Sequence, residues 1–159
     1  MGKKYKITDI EMTWNDHILH RIKALKDFTL INGKEIRKGD LGGWVESEDN
    51  LSQEGLCWIY DECKMYENAI RSGNSIGYGN SQQFGNSQQY ENSQQYGDSR
   101  QFENSKQSES SRQYGNSIQY GNSRQYGDSQ QCGYSQQFGY SQQYGDPQYV
   151  PLKNCINPA

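Results

Sequence analysis

A six-residue unit repeats in unbroken phase from Ala69 to Asp146, and this period limits what the chain can fold into. Counted from its small residue, the unit reads Ser or Ala, a variable residue, Gln, an aromatic residue, Gly or Glu, and Asn or Asp. We number these positions 1 to 6. Ser87–Asn92 and Ser123–Asp128 are typical of about thirteen copies. A fixed short period over such a span is the sequence signature of a repeat architecture.

Positions 1 to 4 predict a short strand, and positions 5 and 6 predict a corner, because Gly and Asn adopt left-handed backbone conformations at low cost. Alternate residues of a strand share a face, so positions 1 and 3 face one way and positions 2 and 4 the other. Position 2 holds the charged residues Arg100, Lys106 and Arg124, which belong in water. Ser and Gln are therefore predicted to point inward, and the aromatic residues outward near the corners.

Position 3 is glutamine in eleven consecutive copies. A buried amide without partners costs roughly 1–3 kcal/mol, so the interior can fold only if these amides are bonded. With 18 residues per coil, equal positions stack about 4.7–4.8 Å apart and can bond amide to amide. Arg71 holds position 3 of an earlier copy and needs an acceptor or an opening to water near the cap. The predicted inward ladder consists of Gln83, Gln89, Gln95, Gln101, Gln107, Gln113, Gln119, Gln125, Gln131, Gln137 and Gln143.

The aromatic residues at position 4 are predicted to form outward rows by the same 18-residue arithmetic. Stacked aromatic pairs contribute about 0.5–1.5 kcal/mol each beyond the area they bury. Tyr60 would extend the row that begins at Tyr78. The predicted outward rows consist of Tyr78, Tyr90, Tyr96, Tyr114, Tyr120, Tyr126 and Tyr144.

The region before the repeat predicts a β-hairpin. Residues 5–14 alternate β-branched and aromatic residues with polar ones, and Asn15–Asp16 offers a turn. His17 to Leu30 is predicted as the returning strand, with a helix over His17 to Lys26 as the alternative because its apolar residues also fit helical spacing. The hairpin is predicted to close one end of the array over an apolar core of Trp44, Trp58, Ile59 and Met65.

These features predict an all-β protein, a single-stranded β-solenoid (β-helix) of hexapeptide coils with an N-terminal β-hairpin cap. Residues 1–50 are assigned to the cap and residues 51–146 to the solenoid with its Ser/Gln interior. Residues 147–159 break the phase at Pro147 and bring back apolar residues, which predicts a C-terminal cover or tail.

Residues 38–70 resemble bacterial and phage-associated hexapeptide-repeat β-solenoid proteins of unassigned function, which are similar to left-handed β-helices. The resemblance rests on Gly39–Glu46, on Leu51–Gly55, and on the units from Cys57 onward. It covers about residues 5–146 and implies a cap followed by coils. The chain departs from that pattern because Gln replaces the inward Val, either through selection or through deliberate substitution of the core.

Charge and hydropathy exclude several classes of partner. The formal net charge of −3 provides no electrostatic attraction to nucleic acid or to a membrane surface. No apolar run approaches the roughly 20 residues that span a bilayer. The N-terminus lacks the apolar segment of a signal peptide, which predicts a cytoplasmic protein. The resemblance adds association with a phage or virion as an alternative.

No pattern predicts a catalytic, cofactor or metal site, and the chain is therefore predicted not to be an enzyme. A hexapeptide acyltransferase needs a catalytic His on or near its coils. His17 and His20 both precede the array, and no loop is inserted into it. The four cysteines have the spacing of neither a zinc site nor a disulfide framework.

The predicted function is that of a non-enzymatic structural or scaffold protein, with self-association at the solenoid end as a candidate contact. A second hypothesis is a carbohydrate- or surface-binding module that uses the Tyr rows, with a glycan as partner. A third is a prion-like disordered segment, since a mean hydropathy of −1.14 leaves little apolar surface to bury. Prion-like segments vary their spacing, whereas this chain keeps a period of six.

Overall fold

A computed structural model describes residues 2–95, 97–104, 106–109, 112–113, 115, 118–119, 121, 124–127, 130–131, 136–137 and 142–145, and at 126–127, 130, 136 and 142–145 it describes the backbone alone. A 3₁₀ helix covers Glu48–Asn50. The strands are β1 Tyr5–Trp14, β2 His17–Ala24, β3 Phe28–Thr29, β4 Glu35–Ile36, β5 Leu41–Val45, β6 Trp58–Ile59, β7 Lys64–Met65, β8 Ile70–Arg71, β9 Ile76–Gly77, β10 Gln82–Gln83, β11 Gln88–Gln89, β12 Gln94–Gln95, β13 Arg100–Gln101, β14 Lys106–Gln107, β15 Arg112–Gln113, β16 Ile118–Gln119, β17 Arg124–Gly127, β18 Gln130–Gln131, β19 Gln136–Gln137 and β20 Gln142–Gly145.

The chain is a β-solenoid, as predicted. From β6 onward each strand pairs in parallel with the third strand along the chain, so that three sheets form the three faces. Gln82 pairs with Arg100 and Gln83 with Gln101, which is a spacing of 18 residues. Each coil therefore holds three hexapeptides, one on each face, and equal positions lie above one another.

The cap continues one of these sheets. β1 pairs antiparallel with β2, β2 pairs antiparallel with β5, and β5 pairs in parallel with β7 of the first coils. The predicted hairpin is confirmed, and the alternative helix is not present; β2 ends at Ala24, and the rest of the predicted strand contains the short β3.

The apolar core lies where the cap meets the first coils. Trp58, Ile59 and Met65 are fully buried there and pack with residues of the cap strands. Trp44 is also buried, but it packs in a separate cluster with Leu19 and Tyr66. All four predicted core residues are thus inside the protein, and the sheet of the cap covers the first coils. Residues 147–159, predicted as a C-terminal cover, lie outside the described residues.

The corners turn through left-handed residues at position 5. Glycines such as Gly85 and Gly97 have φ values of 68° and 65° there. Where the position holds an acidic residue the backbone is the same, with φ of 54° at Glu91 and 58° at Glu103. A residue with a Cβ atom costs roughly 1–2 kcal/mol in this conformation, so the Glu copies carry strain that the Gly copies avoid.

Replacing Glu103 by Gly is therefore expected to stabilise the protein by about 0.5–1 kcal/mol, after the greater backbone entropy of an unfolded Gly is subtracted. Lys106→Gly, at the first residue of β14, should instead destabilise by about 0.5–1 kcal/mol. Urea unfolding followed by circular dichroism measures both. Equal effects of the two substitutions would contradict a strained corner.

Candidate functional site

Positions 1 and 3 point into the solenoid, as predicted. Ser75, Ser81, Ser87, Ser93 and Ser99 at position 1 are all buried. At position 3 the described glutamines from Gln83 to Gln125 are fully buried, and Gln131 and Gln137 remain below a tenth exposed. The side chain of Gln143 lies outside the described residues. The interior beyond the first coils is therefore built from hydroxyl and amide groups.

The glutamines bond across the interior to the backbone. The Nε2 atom of Gln101 donates to the carbonyl oxygen of Gln88 at 2.9 Å, thirteen residues earlier and at position 2. The same bond, between 2.7 and 3.0 Å, recurs in Gln83, Gln95, Gln107, Gln113, Gln119, Gln125, Gln131 and Gln137. A carbonyl oxygen has two lone pairs, so it can accept this amide as well as a bond from the strand ladder.

The expected amide-to-amide ladder is wrong for Gln83 and Gln95. Each Nε2 donates to two backbone carbonyls, those of Ile70 and Ser87 for Gln83 and those of Gln82 and Ser99 for Gln95. The physical reason is that an amide nitrogen has two hydrogens. The backbone carbonyls accept both of them, so neither is left for the amide of the next coil.

Arg71 is a charged group in the interior of the first coils. Its side chain is fully buried, and Nε and Nη2 donate to Oε1 of Gln83 at 3.3 and 3.2 Å. Nη2 also donates to Oε1 of Gln95 at 3.0 Å. Burial lowers the pKa of Arg71 from its ordinary value because desolvation disfavours the charged form. The acceptors that the sequence required are thus glutamine oxygens on the two other faces.

Amide-to-amide stacking does occur, but on the corners at position 6. Asn68 donates to Asn86 at 3.0 Å, and Asn86 donates to Asn104 at 3.3 Å. A second corner contains the pair Asn74–Asn92 at 3.2 Å. These rows were not predicted, although Asn at position 6 recurs at the same 18-residue spacing as the glutamines.

The aromatic side chains stack along the corners. The rings of Tyr60 and Tyr78 lie 4.9 Å apart and within 9° of parallel, as predicted. A second stack joins Tyr66, Phe84 and Phe102 with centroid distances of 5.0 and 4.9 Å.

The other predicted aromatic rows are described only in part. Tyr90 is half-buried, and its hydroxyl donates to Gln88. The remaining predicted members lie outside the described side chains; they are Tyr96, Tyr114, Tyr120, Tyr126 and Tyr144.

Burial raises the pKa of several tyrosines above the ordinary value of 10, because desolvation disfavours the phenolate; these are Tyr5, Tyr60, Tyr66, Tyr78 and Tyr90. A raised folded pKa adds stability that is complete below pH 10 and is lost as the pH rises through the folded pKa. The effect of Lys4 on stability has the opposite sign. Burial lowers the pKa of Lys4, so its contribution to the free energy of unfolding increases as the pH rises toward the ordinary value of 10.5.

The free energy of unfolding is therefore expected to fall above about pH 10, because five tyrosines with a raised pKa outweigh Lys4 and Arg71, whose pKa values are lowered. Urea titrations between pH 8 and 11 measure this. Tyr60→Phe keeps the ring stack and removes a hydroxyl without a partner among the described residues. This variant should be at least as stable as the parent protein at pH 7 and lose less stability above pH 10. An equal alkaline loss in both proteins would contradict the assignment.

His17 lies beside two carboxylates, in the kind of arrangement that acid–base catalysis uses. Its Nδ1 lies 3.0 Å from Oε1 of Glu46, and its Nε2 lies 3.5 Å from Oε1 of Glu67. The hydrogen bond with Glu46 raises the pKa of His17. His20 lies on the same strand, 3.5 Å from Glu11. An imidazole between two carboxylates joins the turn of the cap hairpin to a corner of the solenoid.

Within the described ranges, no group of three or more His, Cys, Asp or Glu side chains is placed to hold a metal ion. The same part of the chain contains no helix of the length and apolarity needed to cross a membrane. The described structure offers a polar interior, amide and aromatic rows on the corners, and one hairpin cap.

Comparison with known proteins adds one partial similarity. No family model matches the chain. A segment of 45 residues is 42% identical to a protein of Escherichia coli (strain K12) described as "Uncharacterized acetyltransferase YdcK". The match covers 28% of this chain and 12% of that relative, so the chain spans only a small part of the relative's length. The chain is thus a β-solenoid with a segment similar to part of that protein.

Proposed function

We propose that this chain is a non-enzymatic structural β-solenoid, a scaffold that holds repeated surface rows at the spacing of its coils. The observation that carries this proposal is the interior. Nine described glutamines donate their amides to the backbone of a neighbouring face, so the side chains that fill each coil also tie its faces together. Any specific contact with a partner would then be made by side chains on the outer surface of the solenoid.

A scaffold of equal coils should tolerate a change in coil number. Deleting residues 83–100 brings Gln101 to the place of Gln83, and every later side chain keeps its face because the deletion is one coil of 18 residues. We expect this variant to keep its circular dichroism spectrum and to become about 4.8 Å shorter in small-angle X-ray scattering.

Deleting residues 83–97 is the matched control, since three fewer residues are lost and the phase of the repeat breaks. This variant should unfold at a lower urea concentration than the 18-residue deletion. Equal stability of the two deletions would contradict a scaffold that depends on the register of its coils.

The stacking of the aromatic rings supports a structural role over glycan binding. Sugars pack on the faces of aromatic rings, but the Tyr60–Tyr78 and Phe84–Phe102 stacks turn those faces toward each other. We expect a glycan array with the full chain to show no saturable binding. Binding that is lost in Tyr78→Ala would instead favour the carbohydrate-binding hypothesis.

Acetyl transfer is a second candidate, favoured by the partial similarity to an acetyltransferase and by the His17–Glu46 pair. General-base catalysis needs a histidine that can accept a proton from the substrate. The scaffold proposal predicts no release of CoA from acetyl-CoA, measured by chromatography with small amines as acceptors. His20→Ala is the control for His17→Ala. Turnover that His17→Ala alone removes would overturn the proposal in favour of an enzyme.

A further inference from the structure

A cavity of about 460 Å³ lies on the outer side of the cap, beside β1, β2 and the start of β5. Lys6, Lys23, Ile10 and Leu41 contribute to its lining. Its volume is within the range of roughly 300–1,000 Å³ that is typical of small-molecule sites. The site is separate from the solenoid interior and from the His17–Glu46 pair.

Two lysines lie directly opposite each other across the floor of this cavity. Lys6 of β1 pairs with Lys23 of β2, and Lys23 pairs with Leu41 of β5, so the three residues form a row across the sheet. All three side chains are exposed. Like charges in opposite positions of an antiparallel pair destabilise the sheet. Among the described residues neither lysine forms an ion pair. Asp9, the acidic residue of the lining, is not within ion-pair distance of either lysine.

A β-bulge forms the apolar wall. The pairing of β1 with β2 shifts register between Ile7 and Glu11, so that residues 8–10 of β1 stand opposite Arg21 alone. Thr8 fixes this shape, because its hydroxyl donates to the carbonyl of Arg21 at 2.8 Å and accepts the N–H of Ile10 at 3.3 Å. Bulges often occur beside functional sites, where they redirect a side chain.

The bulge leaves large apolar side chains beside the two charges. Ile10 is 50% exposed, and Leu41, at the end of the lysine row, is 47% exposed. Both line the cavity, so apolar surface and unpaired positive charge open onto the same space. A ligand that fills this space must match both properties.

We propose that this cavity binds a small anionic amphiphile. The anionic head lies between the ammonium groups of Lys6 and Lys23, and the apolar body lies against Ile10 and Leu41. Binding converts a repulsive cross-strand pair into two attractive contacts and removes exposed apolar surface from water. The inference does not depend on the scaffold function of the coils.

The test uses the full chain with 8-anilinonaphthalene-1-sulfonate as a fluorescent probe and octanoate as its competitor. We expect saturable binding of one probe per chain, displacement by octanoate, and weaker binding at higher salt. Lys6→Gln and Lys23→Gln should each lower the affinity about tenfold, because each removes a hydrogen bond to a charged group. Lys38→Gln, an exposed lysine outside the lining, is the matched control and should bind as the parent does.

Stability measurements separate loss of binding from loss of folding. Removing one charge of the opposed pair should leave the urea midpoint unchanged or raise it, so weaker binding by Lys23→Gln cannot be explained by unfolding. The proposal would be overturned by the absence of saturable binding, by equal affinity of the parent and both cavity variants, or by equally effective displacement with neutral 1-octanol.

Discussion

Gly77→Val is expected to lower the free energy of unfolding by about 3 kcal/mol. Gly77 occupies inward position 3, where a Cβ atom would overlap Nη1 of Arg71 and lie 2.7 Å from Sγ of Cys63. Arg71 cannot withdraw, because it is fully buried and Gln83 and Gln95 hold its guanidinium. Urea unfolding measures the effect. Gly2→Val is the control, since a Cβ atom there meets no atom within 4 Å.

The reason for the glycine is tested by a second substitution. Arg71→Val should also destabilise, because it leaves a void and removes the hydrogen bonds that Arg71 donates to Oε1 of Gln83 and of Gln95. In the double variant the valine at position 77 can enter the space of the guanidinium. The double variant is therefore expected to be more stable than either single variant, with a coupling of about 2 kcal/mol. Additive effects of the two substitutions would show that the glycine at position 77 is not needed to make room for the Arg71 guanidinium.

Gln101→Ala is expected to cost about 2–3 kcal/mol, because it removes a buried side chain and the bond from Nε2 to the carbonyl of Gln88. Arg100→Ala, the neighbouring change on the exposed face, should stay within about 0.5 kcal/mol of the parent. Equilibrium unfolding in urea compares the two. If both substitutions had the same small effect, the interior glutamines would not be holding the coils together.

Gln89 provides an internal contrast. Within the described residues neither its Nε2 nor its Oε1 has a partner, and it pairs with Arg71 at the transition from the apolar to the polar interior. Gln89→Met should therefore stabilise by about 1 kcal/mol, since it removes a buried amide without bonds. Gln101→Met should destabilise, because the same change breaks a bond there. Changes in the free energy of unfolding with opposite signs would show that the amide of Gln101 is hydrogen-bonded and that of Gln89 is not. Changes of the same sign would contradict this difference.

The period and the facing of the repeat could be predicted from the sequence alone. Strand side chains alternate with a period of two, and the charges at position 2, such as Arg100 and Lys106, must lie in water. Together these facts turn position 3 inward without any knowledge of the partners. The unbroken spacing also determined that Tyr60 and Tyr78 would stack, because equal positions can only meet one coil apart.

The hydrogen-bond partners were decided by the tertiary structure. The glutamine amides reach carbonyls thirteen residues away on another face, and the amide rows form from corner asparagines such as Asn68 and Asn86. The space at Gly77 matches Arg71, and Lys6 meets Lys23 only because the two hairpin strands pair in one particular register. A local pattern determines which way a side chain points. Which atoms it meets depends on the width of the coil and on the register between strands, and both arise only when the faces close around a common interior.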